Sequence, residues 1–103
     1  RTLAEGDVIS VGTATFTVME TPGHTPGGIV LRGGGTAEGL AFVGDTLFPG
    51  SHGRTDLRGG DERQILASLR RMAAEIPPET MLLCGHGPET SMAVELARNP
   101  FLR

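Results

Sequence analysis

Phe42-Val43-Gly44-Asp45-Thr46-Leu47-Phe48 is an apolar run that closes on a glycine and hands the chain to a carboxylate. Two other stretches repeat that plan with histidine. They are Thr21-Pro22-Gly23-His24-Thr25-Pro26-Gly27-Gly28 and Leu83-Cys84-Gly85-His86-Gly87-Pro88. In each, a potential metal ligand sits just past a glycine, where apolar residues give way to a loop. Imidazole nitrogen and carboxylate oxygen are donors that a borderline-soft ion such as zinc accepts. The glycine lets the backbone turn sharply, so a side chain at a strand end can point into a shared site. His24, Asp45 and His86 are therefore the candidate ligands, expected to converge on one edge of the fold.

Working outward, Asp7–Ser10 and Thr13–Glu20 read as a hairpin around Val11-Gly12. Alternation of Ala14, Phe16 and Val18 against Thr13, Thr15 and Thr17 marks the second arm as a strand with two different faces. Ile29-Val30-Leu31 is a short strand, and Leu40–Val43 is its expected hairpin partner across the glycine-rich connection 33–39. Residues 46–60 hold four glycines and little periodicity, so a loop is expected there. Asp61-Glu62-Arg63-Gln64 has the form of a capping box. The apolar positions 65, 66, 69, 72, 73 and 76 that follow make one stripe of a helix stopped by Pro77-Pro78. Thr80–Cys84 is a buried-type strand, and Thr90 or Ser91 caps a last helix that Asn99-Pro100 ends. The order is that of an α/β fold. Strands 13–20, 29–32, 40–43 and 80–84 should form one mixed sheet with helices 62–76 and 91–98 on one side. The other side would leave Phe16, Val18, Val30, Phe42 and Leu82, or their neighbours, without cover.

Composition narrows the function classes. With 103 residues, 38% hydrophobic content and a net charge of −3, the chain is at most one domain and is unsuited to coating nucleic acid by bulk charge. No apolar run approaches the roughly 20 residues of a membrane span. The amino terminus carries no secretory leader and Cys84 is the single cysteine, so the cytoplasm is the expected compartment. The first residue is Arg1 rather than Met, which points to a piece of a longer polypeptide.

At these motifs the chain resembles the metallo-β-lactamase superfamily, and within it the glyoxalase-II-like (hydroxyacylglutathione hydrolase-like) hydrolases. The likeness runs from Glu5-Gly6-Asp7 through Gly-His-Thr-Pro-Gly, Gly-Asp-Thr-Leu-Phe, Gly53-Arg54-Thr55-Asp56 and Gly-His-Gly-Pro to Glu95 and Asn99-Pro100-Phe101-Leu102. The resemblance implies an αββα sandwich with a dinuclear metal site at one edge. It implies that residues 1–103 are the carboxy-terminal half of that fold. The family's His-x-His-x-Asp-His cluster belongs to the amino-terminal half, and no His-x-His occurs here. By the same resemblance His24 completes the first metal's set, Asp45 is the carboxylate bridging two metals, and His86 belongs to the second. The implied ions are two zincs, with iron or manganese as alternatives. The implied activity is hydrolysis of a hydroxyacyl thioester by a hydroxide that the metals share through Asp45. It requires the complementary amino-terminal half as partner, and the 103-residue piece alone is expected to be inactive and prone to self-association.

Each residue also has a plainer reading. His24 can be a loop histidine and Asp45 a turn cap. Arg54 either meets a substrate carboxylate or pairs with Asp56 to brace the loop. His52 lies outside every motif and reads as a loop residue; Cys84 reads as a small apolar group on its strand. Thr25, Thr46 and Asp56 are candidates to hold the ligands in place. Rival functions are persulfide oxidation, lactone or phosphodiester hydrolysis, and a truncated module that binds without catalysis.

Overall fold

The fold was analysed in a computed structural model, which describes residues 4–23, 28–53, 55, 59–85 and 89–102. Eight strands and two helices follow in order. β1 is Val8–Val11, β2 Ala14–Glu20, β3 Ile29–Gly35, β4 Leu40–Gly44, β5 Leu47–Phe48 and β6 Ser51–His52. Then come α1 (Glu62–Glu75), β7 (Met81–Cys84), β8 (Thr90–Ser91), α2 (Met92–Arg98) and a 3-10 turn, Pro100–Leu102. A six-stranded sheet runs β1-β2-β3-β4-β7-β8, and β5 pairs with β6 apart from it. Neighbours are antiparallel except β4 and β7, which are parallel. β2, β4 and β7 consequently run the same way, and their carboxyl ends share one edge of the sheet.

The helices start where side chains supply missing acceptors. Asp61 accepts the Gln64 N–H at 3.1 Å at the head of α1, and Ser91 accepts the Val94 N–H at 3.2 Å at the head of α2. Ile65, Leu69, Met72 and Ile76 on α1 join Met92 of α2 and Leu102 in one core with Met19, Val30, Ala41, Val43 and Leu82 of the sheet. Leu66 and Ala73 pack against it, so the whole predicted stripe is used. Both helices therefore cover the same sheet face.

The opposite face carries the side chains that alternate with those. Val18 pairs with Leu31, Leu31 with Phe42 and Phe42 with Leu83, an apolar row crossing four strands. Phe16 extends it, its ring meeting that of Phe42 edge-on at 5.7 Å between centroids. Phe42 is 41% exposed and Met81 36%. Val30 and Leu82 do not belong to this face: both are fully buried under the helices, and Leu31 and Leu83 take their places; Val18 is on the face but is itself covered, at 1% exposure. Runs of consecutive apolar residues contain no polar mark to say which member turns inward.

Two further expectations are corrected. Residues 46–60 are not all loop, because Leu47 and Phe48 pair with His52 and Ser51 as a hairpin. The flexible connection is shorter than expected, since Gly33–Gly35 continue β3 and pair with Ala14–Phe16. Glycine suits that stretch because a Cβ on Gly34 would meet Thr15 Oγ1 at 2.7 Å. Among the described residues no helix is long and apolar enough to cross a membrane.

Outside the core, Arg71 ties α1 to the start of the chain. Its guanidinium donates to both carboxylate oxygens of Glu5, at 2.8 and 2.6 Å, and to Glu75 at 2.7 Å. The hydrogen bond from Arg71, with one from the Glu20 backbone N–H, lowers the Glu5 pKa from 4.5 to about 2. A folded pKa below the unfolded one means stability that is present above pH 4.5 and lost as pH falls towards 2. Both side chains are partly solvated, so Arg71→Ala should cost no more than about 1 kcal/mol at neutral pH. Urea titrations should show that difference shrinking between pH 4.5 and pH 2.

Candidate metal centre

The shared edge is built by three strand ends. β4 leaves the sheet at Gly44, which adopts a φ of 54°, and delivers Asp45. β7 leaves it at Cys84, and the Gly85 N–H donates to the Gly44 carbonyl at 2.8 Å. This bond extends the parallel pairing past the strand ends and brings Asp45 against the approach to His86. The contact is close: a Cβ placed on Gly85 would lie 2.9 Å from Asp45 Oδ1. Asp45 is half-buried, so its carboxylate is held at the edge without being removed from water.

The segment after β2 is pinned to the same place. Thr21 Oγ1 and Thr46 Oγ1 lie 3.0 Å apart, and both residues are buried. The Thr21 N–H donates to the Gly28 carbonyl at 2.8 Å, closing the base of the loop between them. Ser68 Oγ donates to the Pro22 carbonyl at 2.8 Å, and the Asp61 N–H donates to the Gly23 carbonyl at 2.6 Å. Gly23 has a φ of 140°, and a Cβ there would run into the Ile65 backbone. Only glycine lets the loop rest so closely on the first turn of α1.

Of the predicted ligands, Asp45 is described, whereas His24 and His86 lie outside the described residues, as do Arg54, Thr25 and Asp56. Their described neighbours Gly23 and Gly85 flank the edge that carries Asp45. Among the described residues alone no group of three or more His, Cys, Asp or Glu side chains could hold a metal. Thr46 bonds to Thr21, an interaction between loops that no local pattern announces. His52 is engaged elsewhere: Nδ1 lies 2.7 Å from the Gly53 carbonyl oxygen, and the ring meets Phe101 edge-on at 4.5 Å. Cys84 packs against the core, and burial, helped by the negative charge of Glu95, pushes its thiol pKa up.

Residues 1–86 match the Metallo-beta-lactamase superfamily. The chain belongs to that superfamily. It is 40% identical over 101 residues to the probable metallo-hydrolase YqgX of Bacillus subtilis (strain 168), covering 97% of this chain and 47% of YqgX. It is 36% identical over 100 residues to the hydroxyacylglutathione hydrolase GloC of Haemophilus influenzae, covering 95% and 45%. Among solved structures, the BLEG-1 B3 metallo-beta-lactamase superposes with a TM-score of 0.85 at 43% identity, over 97% of this chain and 47% of that one. TTHA1623 in a di-iron-bound form gives 0.83 at 41%, over 99% and 48%. The chain thus spans about half the length of the relatives it matches. Members of the superfamily are hydrolases that bind divalent metals.

Two glycines separate backbone from side-chain constraints at this edge. Gly23→Ala forces a clash between two backbones and should cost about 3 kcal/mol. Gly85→Ala meets Asp45 Oδ1 at 2.9 Å and the Gly44 backbone only at 3.3 Å, so its cost should be smaller, about 1 kcal/mol. Chemical denaturation of both variants checks the order.

Proposed function

We propose that this chain is one half of a metal-dependent hydrolase of the glyoxalase-II type, acting on hydroxyacyl thioesters. His24, Asp45 and His86 are its contribution to a two-metal site. The observation that carries the reading is the shared edge: β2, β4 and β7 end together, with the Asp45 carboxylate beside Gly85. The likeness to a hydroxyacylglutathione hydrolase adds the substrate class.

The donor set fits a metal. A half-buried carboxylate on a braced loop has two oxygens to offer, enough to serve two ions. With it, the imidazoles of His24 and His86 would make a donor set that suits zinc or iron, and the di-iron relative makes iron a serious alternative to zinc. When bound, such ions supply Lewis acidity and a water whose pKa falls from about 15.7 to near 7. The chain's own residues do the positioning. The Thr21–Thr46 pair and the Gly85–Gly44 bond hold Asp45 at a constant distance from the segment that follows β7. Arg54, two residues beyond β6, offers a planar fork for a carboxylate on the substrate. A thiolate is a good leaving group because its free pKa is only about 8.5, so no strong acid is required.

The remaining ligands come from the complementary half of the sandwich, seated on the open sheet face over Phe16, Leu31, Phe42, Met81 and Leu83. An apolar row across four strands, with Phe42 and Met81 exposed on it, is the kind of surface that a partner covers. Without that half the chain self-associates or melts easily.

Zinc content and hydroxyacyl-thioester hydrolysis, measured for the 103-residue chain and for a polypeptide extended at its amino terminus, test the proposal. The extended form should hold close to two ions and turn over; the chain alone should do neither and should sediment as an associated species. Removing one group that merely orients a ligand costs about 10–100-fold. Asp45→Ala in the extended form should therefore lose at least a hundredfold in activity, together with metal content. Rapid turnover by a monomeric 103-residue chain would sink the half-fold reading.

A further inference from the structure

β2 and β4 are not neighbours in the sheet, because β3 lies between them. No backbone ladder therefore sets the distance between their carboxyl ends directly. Two side chains do so instead. Thr21, which follows β2, and Thr46, which precedes β5, bring their hydroxyls to 3.0 Å while the residues are 0% and 4% exposed. Thr21 is itself anchored, its N–H donating to the Gly28 carbonyl at 2.8 Å, just before β3. Removing two hydroxyls from water is costly unless each finds the other, and two valines would fill the same space without that cost.

From Thr46 the connection to Asp45 is direct. The Thr46 N–H donates to the Val43 carbonyl at 3.0 Å and closes a turn over residues 43–46, in which Gly44 has a φ of 54° and Asp45 is the third member. The Thr46 carbonyl accepts the Gly53 N–H at 3.2 Å, and the Gly44 carbonyl accepts the Gly85 N–H at 2.8 Å. Asp45 thus stands between two residues that are each tied to another segment. Oxygens 3.0 Å apart sit closer than carbon atoms in contact, which stay about 3.5–4.0 Å from each other. Methyl groups in their place would spread the two strand ends by roughly 0.5–1 Å, more than the tolerance of about 0.5 Å within which a site must be held.

We propose that Thr21 is a positioning residue: through Thr46 it fixes where the Asp45 carboxylate stands, and with it the affinity of the site for metal. The proposal rests on the hydrolase reading above and extends it to a residue on the far side of β3. The hydroxyl pair is a spacer as well as a bond, so its contributions to stability and to placement can be separated.

Thr21→Val keeps the shape but strands the Thr46 hydroxyl, whereas Thr21→Val combined with Thr46→Val strands neither. In the polypeptide extended at its amino terminus, the single variant should lower the urea midpoint. It should also weaken zinc binding, measured in competition with a chelator, by about tenfold or more, and speed exchange of the Thr46 amide relative to that of Leu69 in α1. The double variant should recover the midpoint while zinc affinity stays low and Thr46 exchange stays fast. Thr21→Ser, which keeps the hydroxyl, should restore affinity and slow exchange. Thr80→Val, which removes a hydroxyl from a buried residue at the opposite edge of the sheet, should leave zinc affinity unchanged. If Thr21→Val does not fold, the double variant carries the test. Zinc affinity that returns with the midpoint in the double variant, or Thr46 exchange that only keeps pace with Leu69, would overturn the proposal. An extended wild type that binds no zinc would defeat the hydrolase reading instead, and Thr46 exchange would still decide whether Thr21 holds the turn.

Discussion

The parallel pairing of β4 with β7 is the constraint on which the rest of the structure depends. Each hairpin from β1 to β4 reverses the chain, so β2 and β4 already point the same way. Only a crossover can bring β7 alongside in the same direction. α1 supplies that crossover, and its apolar stripe closes the core as it does so. With Ala41 opposite Leu82 and Phe42 opposite Leu83, the ends of β4 and β7 fall level, and the Gly85–Gly44 bond carries the pairing one step further. A slip of β7 by one residue would turn Leu83 inward in place of Leu82 and carry Gly85 away from Asp45.

Much of this architecture was legible because its signals are local. Asp61 and Ser91 announce helix starts through bonds to residues three positions on. The stripe from Ile65 to Ile76 needs only helical periodicity. The Gly-Asp-Thr motif marked the end of β4, and Asp45 does lie just past it. Where reading failed, the deciding partner lay far away. The β5–β6 hairpin depends on Glu95 and Asn99, which stand 45 and 48 positions from the backbone groups they hold. The Thr21–Thr46 bond spans 25 positions. Val30 and Leu31, or Leu82 and Leu83, differ in which sheet face they occupy, and adjacent apolar residues cannot declare that by themselves.

The two faces of the sheet divide its labour. One is finished by α1 and α2 and supplies the cooperative core. The other presents Phe16, Leu31, Phe42 and Leu83 in register, a surface that offers about 25 cal/mol for each Å² of apolar area it can bury. Among the described residues, the ion pairs of Arg71 with Glu5 and Glu75 stand on the helical side of the sheet.

The crossover that levels β4 with β7 also orders events in time. The meander from β1 to β4 closes only short loops, which form fast, whereas Leu40 meets Met81 across 41 positions of chain. Closing so long a loop costs entropy that is recovered only when α1 docks, and contacts of this separation slow folding. The edge that gathers Asp45 and Gly85 is therefore assembled last, after the meander it rests on. During synthesis the same order holds, since β7 leaves the ribosome only after the β4 strand and the α1 helix that it joins.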